Sequence, residues 1–295
     1  VHVVKTPDSA RAFARSLPRP LGLVPTMGAL HAGHRSLIER AAAENASVAG
    51  SLFVNPLQFG PPEDFGRYPR AFADDLAQFE AGGAAVLYAP AVETMYPPGF
   101  ATTLDTGELG RTFEGASRPG HFNGVATVVL KLLHALEPSA LYLGQKDAQQ
   151  CAVLRALVRD LDLPVRVVVH PTVREPDGLA LSSRNVYLTP EQRAAAPSFA
   201  RALQATAAAL RADGLGIAEA KARGARLLEA PLVWEYLEVV DPLTFVPLSA
   251  ARGAALVIGA TRAGSTRLLD NVSLAAPDGL DPLLTPAAPL AAARR

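Results

Sequence analysis

The chain contains one cysteine, Cys151, one tryptophan and two methionines among 295 residues, and its charges cancel, 28 Lys and Arg against 28 Asp and Glu. Each scarcity excludes something. A lone cysteine cannot form an intramolecular disulfide and fits a reducing cytosol. It falls in a helical pattern over residues 148–161 with Leu154, Leu157 and Val158, so its expected role is core filler rather than nucleophile. Zero net charge leaves no electrostatic footprint for nucleic acid or an anionic membrane. No apolar run approaches the roughly 20 residues of a membrane span, and Val1-His2-Val3-Val4-Lys5 has no signal-peptide layout, so a cytoplasmic protein is expected. Also missing is a Gly-x-Gly-x-x-Gly fingerprint. Gly259-Ala260-Thr261-Arg262-Ala263-Gly264-Ser265-Thr266 has the glycine spacing of a Walker loop without its lysine, and reads as a turn. With 49% hydrophobic and 19% charged residues the chain is globular with ample core. Its length exceeds the roughly 100–200 residues of one domain, which points to two.

What is present centres on Val24-Pro25-Thr26-Met27-Gly28-Ala29-Leu30-His31-Ala32-Gly33-His34. An apolar run precedes it and an amphipathic stretch over residues 35–44 follows, the pattern of strand, tight turn and helix. Gly28 and Gly33 allow close backbone approach. His31 and His34 would share a face if His31 sits in the first helical turn. A helix N-terminus suits phosphate, and imidazole N–H groups there could follow charge developing on a phosphorus-bound oxygen. Solvated caps or metal ligands are the alternatives. Residues 47–54 form a second apolar strand ending at Asn55-Pro56-Leu57-Gln58-Phe59. That βαβ spacing implies parallel strands with a right-handed crossover. Ligands bind beyond the carboxyl ends of such strands, where His31, His34, Asn55 and Gln58 all fall.

Residues 6–16 read as a helix capped by Asp8 or Ser9. After a Pro- and Gly-rich loop over 60–70, residues 72–81 form a helix carrying Asp74, Asp75 and Gln78, and 84–89 a third strand. Residues 96–120 are a long excursion with little periodicity. An apolar helix over 121–136 leads to a strand over 141–143 that ends in Gly144-Gln145-Lys146-Asp147, and 165–169 is a further strand. Lys146 is a surface lysine or a triphosphate partner, and Asp147 a helix cap. Leu181-Ser182-Ser183-Arg184-Asn185 is a turn or an anion clamp. Asp74 and Asp75 are solvated helix charges or Mg²⁺ ligands. Helices over 190–212 and 216–229 and strands over 234–240 and 255–260 complete the pattern. The expected fold is α/β, a Rossmann-like parallel sheet over residues 1–172 with a smaller α+β domain over 173–274. The remainder, 275–295, is expected to be a flexible tail.

Together these blocks resemble the pantothenate synthetase family. Residues Pro25 to His34 look like its variant of the HxGH nucleotidylyl-transfer motif. The likeness continues through Phe53-Val54-Asn55-Pro56-Leu57-Gln58-Phe59, Glu63-Asp64-Phe65 and Tyr68-Pro69-Arg70. It runs on through Arg118-Pro119-Gly120-His121-Phe122, Gly144-Gln145-Lys146-Asp147, Arg174-Glu175-Pro176-Asp177-Gly178-Leu179-Ala180 and Ser182-Ser183-Arg184-Asn185. The resemblance implies that pantoate and ATP give pantoyl adenylate and pyrophosphate, and that β-alanine then displaces AMP to make pantothenate. It implies an ATP site lined by Met27, Gly28, Ala29, Leu30, His31, Ala32, Gly33 and His34, with His34 as the family's general acid. Lys146, Ser182, Ser183 and Arg184 would hold phosphates, and Leu181 stands beside them where methionine is common. Gly144 and Asp147 would meet ribose and the Val173 backbone adenine, with Gln145 also lining the ATP site. Gln58, Gln150 and Asn55 would bind pantoate, while Asp74, Asp75 and Gln78 match positions associated with Mg²⁺ in some relatives. The smaller domain would close over the site, and a homodimer is typical of the family. His134 stands where asparagine is often found. A nucleotidyltransferase acting on a phosphorylated substrate, or a nucleotide-binding regulator without turnover, are the rival readings; a tRNA synthetase would need more length and basicity.

Overall fold

The computed structural model describes residues 1–60, 66, 68–251 and 253–275. The Glu63-Asp64-Phe65 block and the tail beyond Ala275 lie outside the described residues. The described residues divide into two compact units, one of Val1–Leu143 with Gln149–His170, the other of Gly144–Ala148 with residues 171–275.

The first unit is built on β1 (His2–Val4), β2 (Leu21–Thr26), β3 (Ser47–Leu52), β4 (Val86–Tyr88), β5 (Ala140–Gly144) and β6 (Arg166–His170), in the sheet order β1-β4-β3-β2-β5-β6. The β1–β4, β4–β3, β3–β2 and β2–β5 pairs are all parallel. Strands covered on both faces must be apolar almost throughout, and β2 and β3 meet that condition with buried residues along nearly their whole length. The helices are α1 (Pro7–Ser16), α2 (Ala32–Glu44), α3 (Phe72–Ala81), the short α4 (Val92–Met95) and α5 (Glu114–Ser117), α6 (His121–Leu136) and α7 (Ala148–Asp160). Leu37, Ile38 and Ala41 of α2 and Phe79 of α3 pack with Val24, Val48, Leu87, Tyr142 and Val168 of the sheet. Cys151 is buried in α7, as core filler should be.

In the second unit α8 (Pro190–Ala195), α9 (Pro197–Arg211) and α10 (Ile217–Ala225) accompany an antiparallel sheet of β7 (Leu232–Val240), β8 (Ala255–Ala263) and β9 (Thr266–Leu274). Phe199 and Leu203 on one face of α9 meet Val239, Val257 and Leu268, and Phe199 stacks edge-on against Trp234. Among the described residues no helix is long and apolar enough to cross a membrane.

Several sequence expectations need correction. Thr6, not Asp8 or Ser9, caps α1; Ser9 is the reciprocal partner three residues on. The 96–120 excursion holds a 3-10 turn over Glu108–Gly110 and the one-turn α5. The single helix expected over 190–212 is two, because Pro197 cannot donate to the preceding turn and a new helix starts there. The Walker-like stretch is mostly strand: residues through Ala263 belong to β8, only Gly264 and Ser265 turn, and Thr266 opens β9.

Candidate active site

In the first unit, the turn from β2 to α2 takes two successive left-handed residues, Gly28 at φ +96° and Ala29 at φ +51°. The alanine conformation costs about 1–2 kcal/mol, so something must hold it. Asp75 on α3 does. Its carboxylate, 1% exposed, accepts the Ala29 N–H at 3.1 Å and the Leu30 N–H at 2.8 Å. A Cβ on residue 28 would stand 2.8 Å from that carboxylate, so glycine is required for space as well as for conformation. Gln78, one turn further along α3, donates to the Leu30 carbonyl at 3.1 Å. Asp74 is exposed. No group of three or more His, Cys, Asp or Glu that could hold a metal occurs among the described residues.

His31 is the N-cap of α2 rather than a residue of its first turn. Its Nδ1 accepts the Gly33 N–H at 3.1 Å, and Nδ1 of His34 accepts the His31 N–H at 3.2 Å. Two imidazoles thus form the reciprocal cap usually made by a hydroxyl and a carboxylate, with ring centroids 4.1 Å apart. The chemistry follows from the hydrogen bonds. A ring nitrogen that accepts carries no proton, so in the neutral form each ring bears its N–H on Nε2. The cap therefore selects one tautomer for both histidines.

Beyond β3, Asn55 caps the 3-10 turn Pro56–Gln58. Its Oδ1 accepts from the Leu57 N–H at 3.2 Å and the Tyr96 hydroxyl at 2.7 Å. Its Nδ2 donates to Gln58 Oε1 at 3.0 Å and the Gly124 carbonyl at 3.1 Å. Those four bonds use the full capacity of an amide, so Asn55 frames Gln58 from a fully committed position. Burial pushes the Tyr96 phenol well up, keeping it the donor. Gln58 Nε2 donates to the Met27 sulfur at 3.1 Å, tying the end of β3 to the turn after β2. The Gln58 carbonyl accepts from Arg118 at 3.2 Å and from His121 Nδ1 at 2.9 Å; Arg118 in turn donates to His121 Nε2, which fixes that ring's tautomer. Gln150, in the first turn of α7, is half-buried. Its neighbour Gln149 is the one committed to structure: it accepts from the Glu114 N–H and donates to the Leu109 and Thr112 carbonyls, pinning the 108–117 excursion. Since β3, β2 and β5 are neighbours in a parallel sheet, the segments carrying Gln58, the two histidines and Gln150 all leave the same edge.

In the second unit, Gln145–Asp147 is a 3-10 turn, and Lys146 Nζ lies 3.6 Å from the Asp147 carboxylate. The 173–185 segment doubles back on itself: Arg174 bridges to Ala180, and the Leu181 N–H donates to the Val173 carbonyl at 3.0 Å. Ser182 caps the 3-10 turn Ser183–Tyr187 through the Arg184 N–H at 3.2 Å. Asn185 donates to Glu175 and to the Ala180 carbonyl, and Arg193 spans Asp177 and Glu175 at 2.6 and 2.5 Å. Arg174 makes a two-point pair with buried Asp270.

Sequence reasoning missed the framing roles of Tyr96, Gly124, Arg118, His121 and Gln149. Only the Arg118-Pro119-Gly120-His121 block gave a signal, as part of a resemblance without roles.

A family model described as pantoate-beta-alanine ligase matches residues 2–273. A pantothenate synthetase of Chloroflexus aggregans is 52% identical over 274 residues, 92% of this chain and 99% of the relative. One of Thermobifida fusca is 50% identical over 282 residues, 92% and 95% of the two chains. Among solved structures, a pantothenate synthetase of Thermus thermophilus superposes with a TM-score of 0.88 at 49% identity, covering 93% of this chain and 100% of that one. A pantoate-beta-alanine ligase of Francisella tularensis, complexed with beta-gamma ATP and beta-alanine, has a TM-score of 0.76 at 33% identity over 92% and 97% of the chains.

Proposed function

The chain belongs to the pantoate–β-alanine ligase family and is a ligase of pantothenate synthesis, and from that premise we propose the route by which it joins its substrates. A pantoate carboxylate oxygen attacks the α-phosphorus of ATP; the bond to the bridging oxygen breaks, and pyrophosphate leaves with its electron pair. The amine of β-alanine then attacks the acyl carbon of pantoyl adenylate, loses a proton, and expels AMP. In-line transfer at phosphorus asks for positioning and neutralisation rather than a covalent enzyme intermediate.

The observation that carries this reading is the pair of histidines locked with Nδ1 as acceptor. Each then carries its N–H on Nε2 at a helix N-terminus, where donors suit negative charge building on phosphate oxygens. His34 stabilises the leaving oxygen as donor, whether or not its proton transfers fully. Gln58 Nε2 carries a second N–H besides the one on Met27 for the pantoate hydroxyl or carboxylate, and half-buried Gln150 adds a further neutral amide. Neutral amides leave the attacking carboxylate its nucleophilicity, which an arginine clamp would blunt. Lys146, Ser182, Ser183 and Arg184 supply the cations and donors for the phosphates.

Mg²⁺ would enter with ATP, chelated by the phosphates and neutralising them. Asp74, Asp75 and Gln78 suit a cation cage poorly: Asp75 is sealed with both oxygens receiving backbone N–H groups, Gln78 is turned to Leu30, and Asp74 faces solvent. Asp75 and Gln78 serve the nucleotide by holding its turn.

The test is ATP–pyrophosphate exchange. Exchange that requires pantoate but proceeds without β-alanine is expected. Exchange that ignores pantoate, or that a phosphorylated substrate drives equally well, would transfer the chain to the nucleotidyltransferase reading.

A further inference from the structure

Lys146 sits in a 3-10 turn that has no side-chain cap of its own. Its backbone is held instead by one residue more than a hundred positions away in the same unit. Asn271 on β9, 3% exposed, donates from Nδ2 to the Gln145 carbonyl at 2.8 Å and to the Lys146 carbonyl at 3.1 Å, while its Oδ1 accepts from Gln145 Nε2 at 3.1 Å. Two of these three bonds fix successive peptide groups, and the third holds the Gln145 side chain. The strand is itself anchored next door: the Asp270 carboxylate takes Arg174 at 2.5 and 2.9 Å and the Asn271 N–H at 2.8 Å. Strand neighbours point to opposite faces, so Asp270 clamps one side while Asn271 reaches out on the other.

We propose that Asn271 is a positioning residue for Lys146, setting the backbone from which the ammonium reaches the nucleotide phosphates. This rests on the reading of Lys146 as a phosphate ligand. No smaller residue could do the same work, since both carbonyls and the Gln145 amide must be met from one point. An orphaned carbonyl would turn toward water and carry the lysine with it.

The test is a double-mutant cycle read by calorimetric binding of MgATP to the intact chain, so that it does not depend on turnover. Asn271→Leu is nearly isosteric and deletes all three bonds; Asn271→Ser is a second variant should the first fail to fold, which loss of a cooperative thermal transition would reveal. Either is expected to weaken MgATP by about tenfold or more while leaving the pantoate KM within about twofold. In a Lys146→Ala background the same change is expected to alter MgATP affinity by less than about twofold, because the group being positioned is gone. A full effect persisting without the lysine, or unchanged affinity in both Asn271 variants, would overturn the proposal. Wild-type exchange that ignores pantoate would instead remove the proposed reaction, a different readout from the binding cycle.

Discussion

His34 has two jobs that a single truncation would confound: it caps α2 through Nδ1 and presents Nε2–H. Glutamine separates them. It is a favoured residue at the third helical position of a reciprocal cap and can reach back to the His31 N–H. His34→Gln is therefore expected to keep stability to urea within about 0.5 kcal/mol while lowering pantoate-dependent exchange by about 10²–10³-fold. Exchange near the wild-type rate would show that the ring contributes only the cap. Composition and spacing marked both histidines, because two imidazoles beside glycines after an apolar run are unusual at a strand end. Their tautomer was not legible, since it depends on which backbone N–H groups the turn aims at them, and that depends on Asp75 forty-odd residues further along the chain. For Asn55 the polar residue was visible at the strand end; that its amide is spent inside the protein was not.

Between elements, α6 comes very close to the Pro56–Gln58 turn. A Cβ on Gly124 would lie 2.2 Å from the Leu57 carbonyl oxygen and 2.7 Å from the Gln58 nitrogen, backbone that cannot rotate away. On propensity alone Gly→Ala in a helix gains about 1 kcal/mol. Here the clash wins, and Gly124→Ala is expected to displace the turn, raising the pantoate KM at least severalfold with little change in the KM for ATP. An unaltered pantoate KM would mean that the turn does not present Gln58. Elements with strong periodicity could be read in advance, β2, α2 and α6 among them. The misses have physical causes. β1 is only three residues long, and β9 carries Arg267, Asp270 and Asn271, the last two buried in succession, so it presents neither an apolar run nor a clean alternation. The break at Pro197 hides in an alanine-rich run because proline is also a good first helical residue.

At the scale of the whole molecule, pH dependence can be assigned a sign. Burial first, then the charge of Arg40, push the His170 imidazole below its ordinary value, with Glu44 pulling weakly the other way. The folded state thus binds this proton less readily than the unfolded chain, so its contribution is fully present above the unfolded value near 6.5 and is lost as pH falls from there toward the lower folded value. Glu44 follows the carboxylate rule. Burial opposes its charge, but hydrogen bonds from Arg40 and Tyr142 and the charges of Arg40 and Arg166 outweigh it. Its contribution is present above 4.5 and lost as pH falls through its lowered folded value. Urea unfolding is expected to give flat stability above about pH 7, a first decline setting in near 6.5 that His170→Gln removes, and a second below 4.5. Stability that rises on acidification from 7 to 6 would contradict the His170 assignment.

The lone Cys151 has a practical consequence. Sealed within α7, its sulfhydryl can meet an alkylating reagent only when the surrounding packing parts, so the modification rate counts openings of the first unit. In native buffer, labelling is expected to lag a small free thiol by several orders of magnitude and to accelerate with urea in step with loss of helical signal. The chain carries its own single-site reporter of how often that layer breathes.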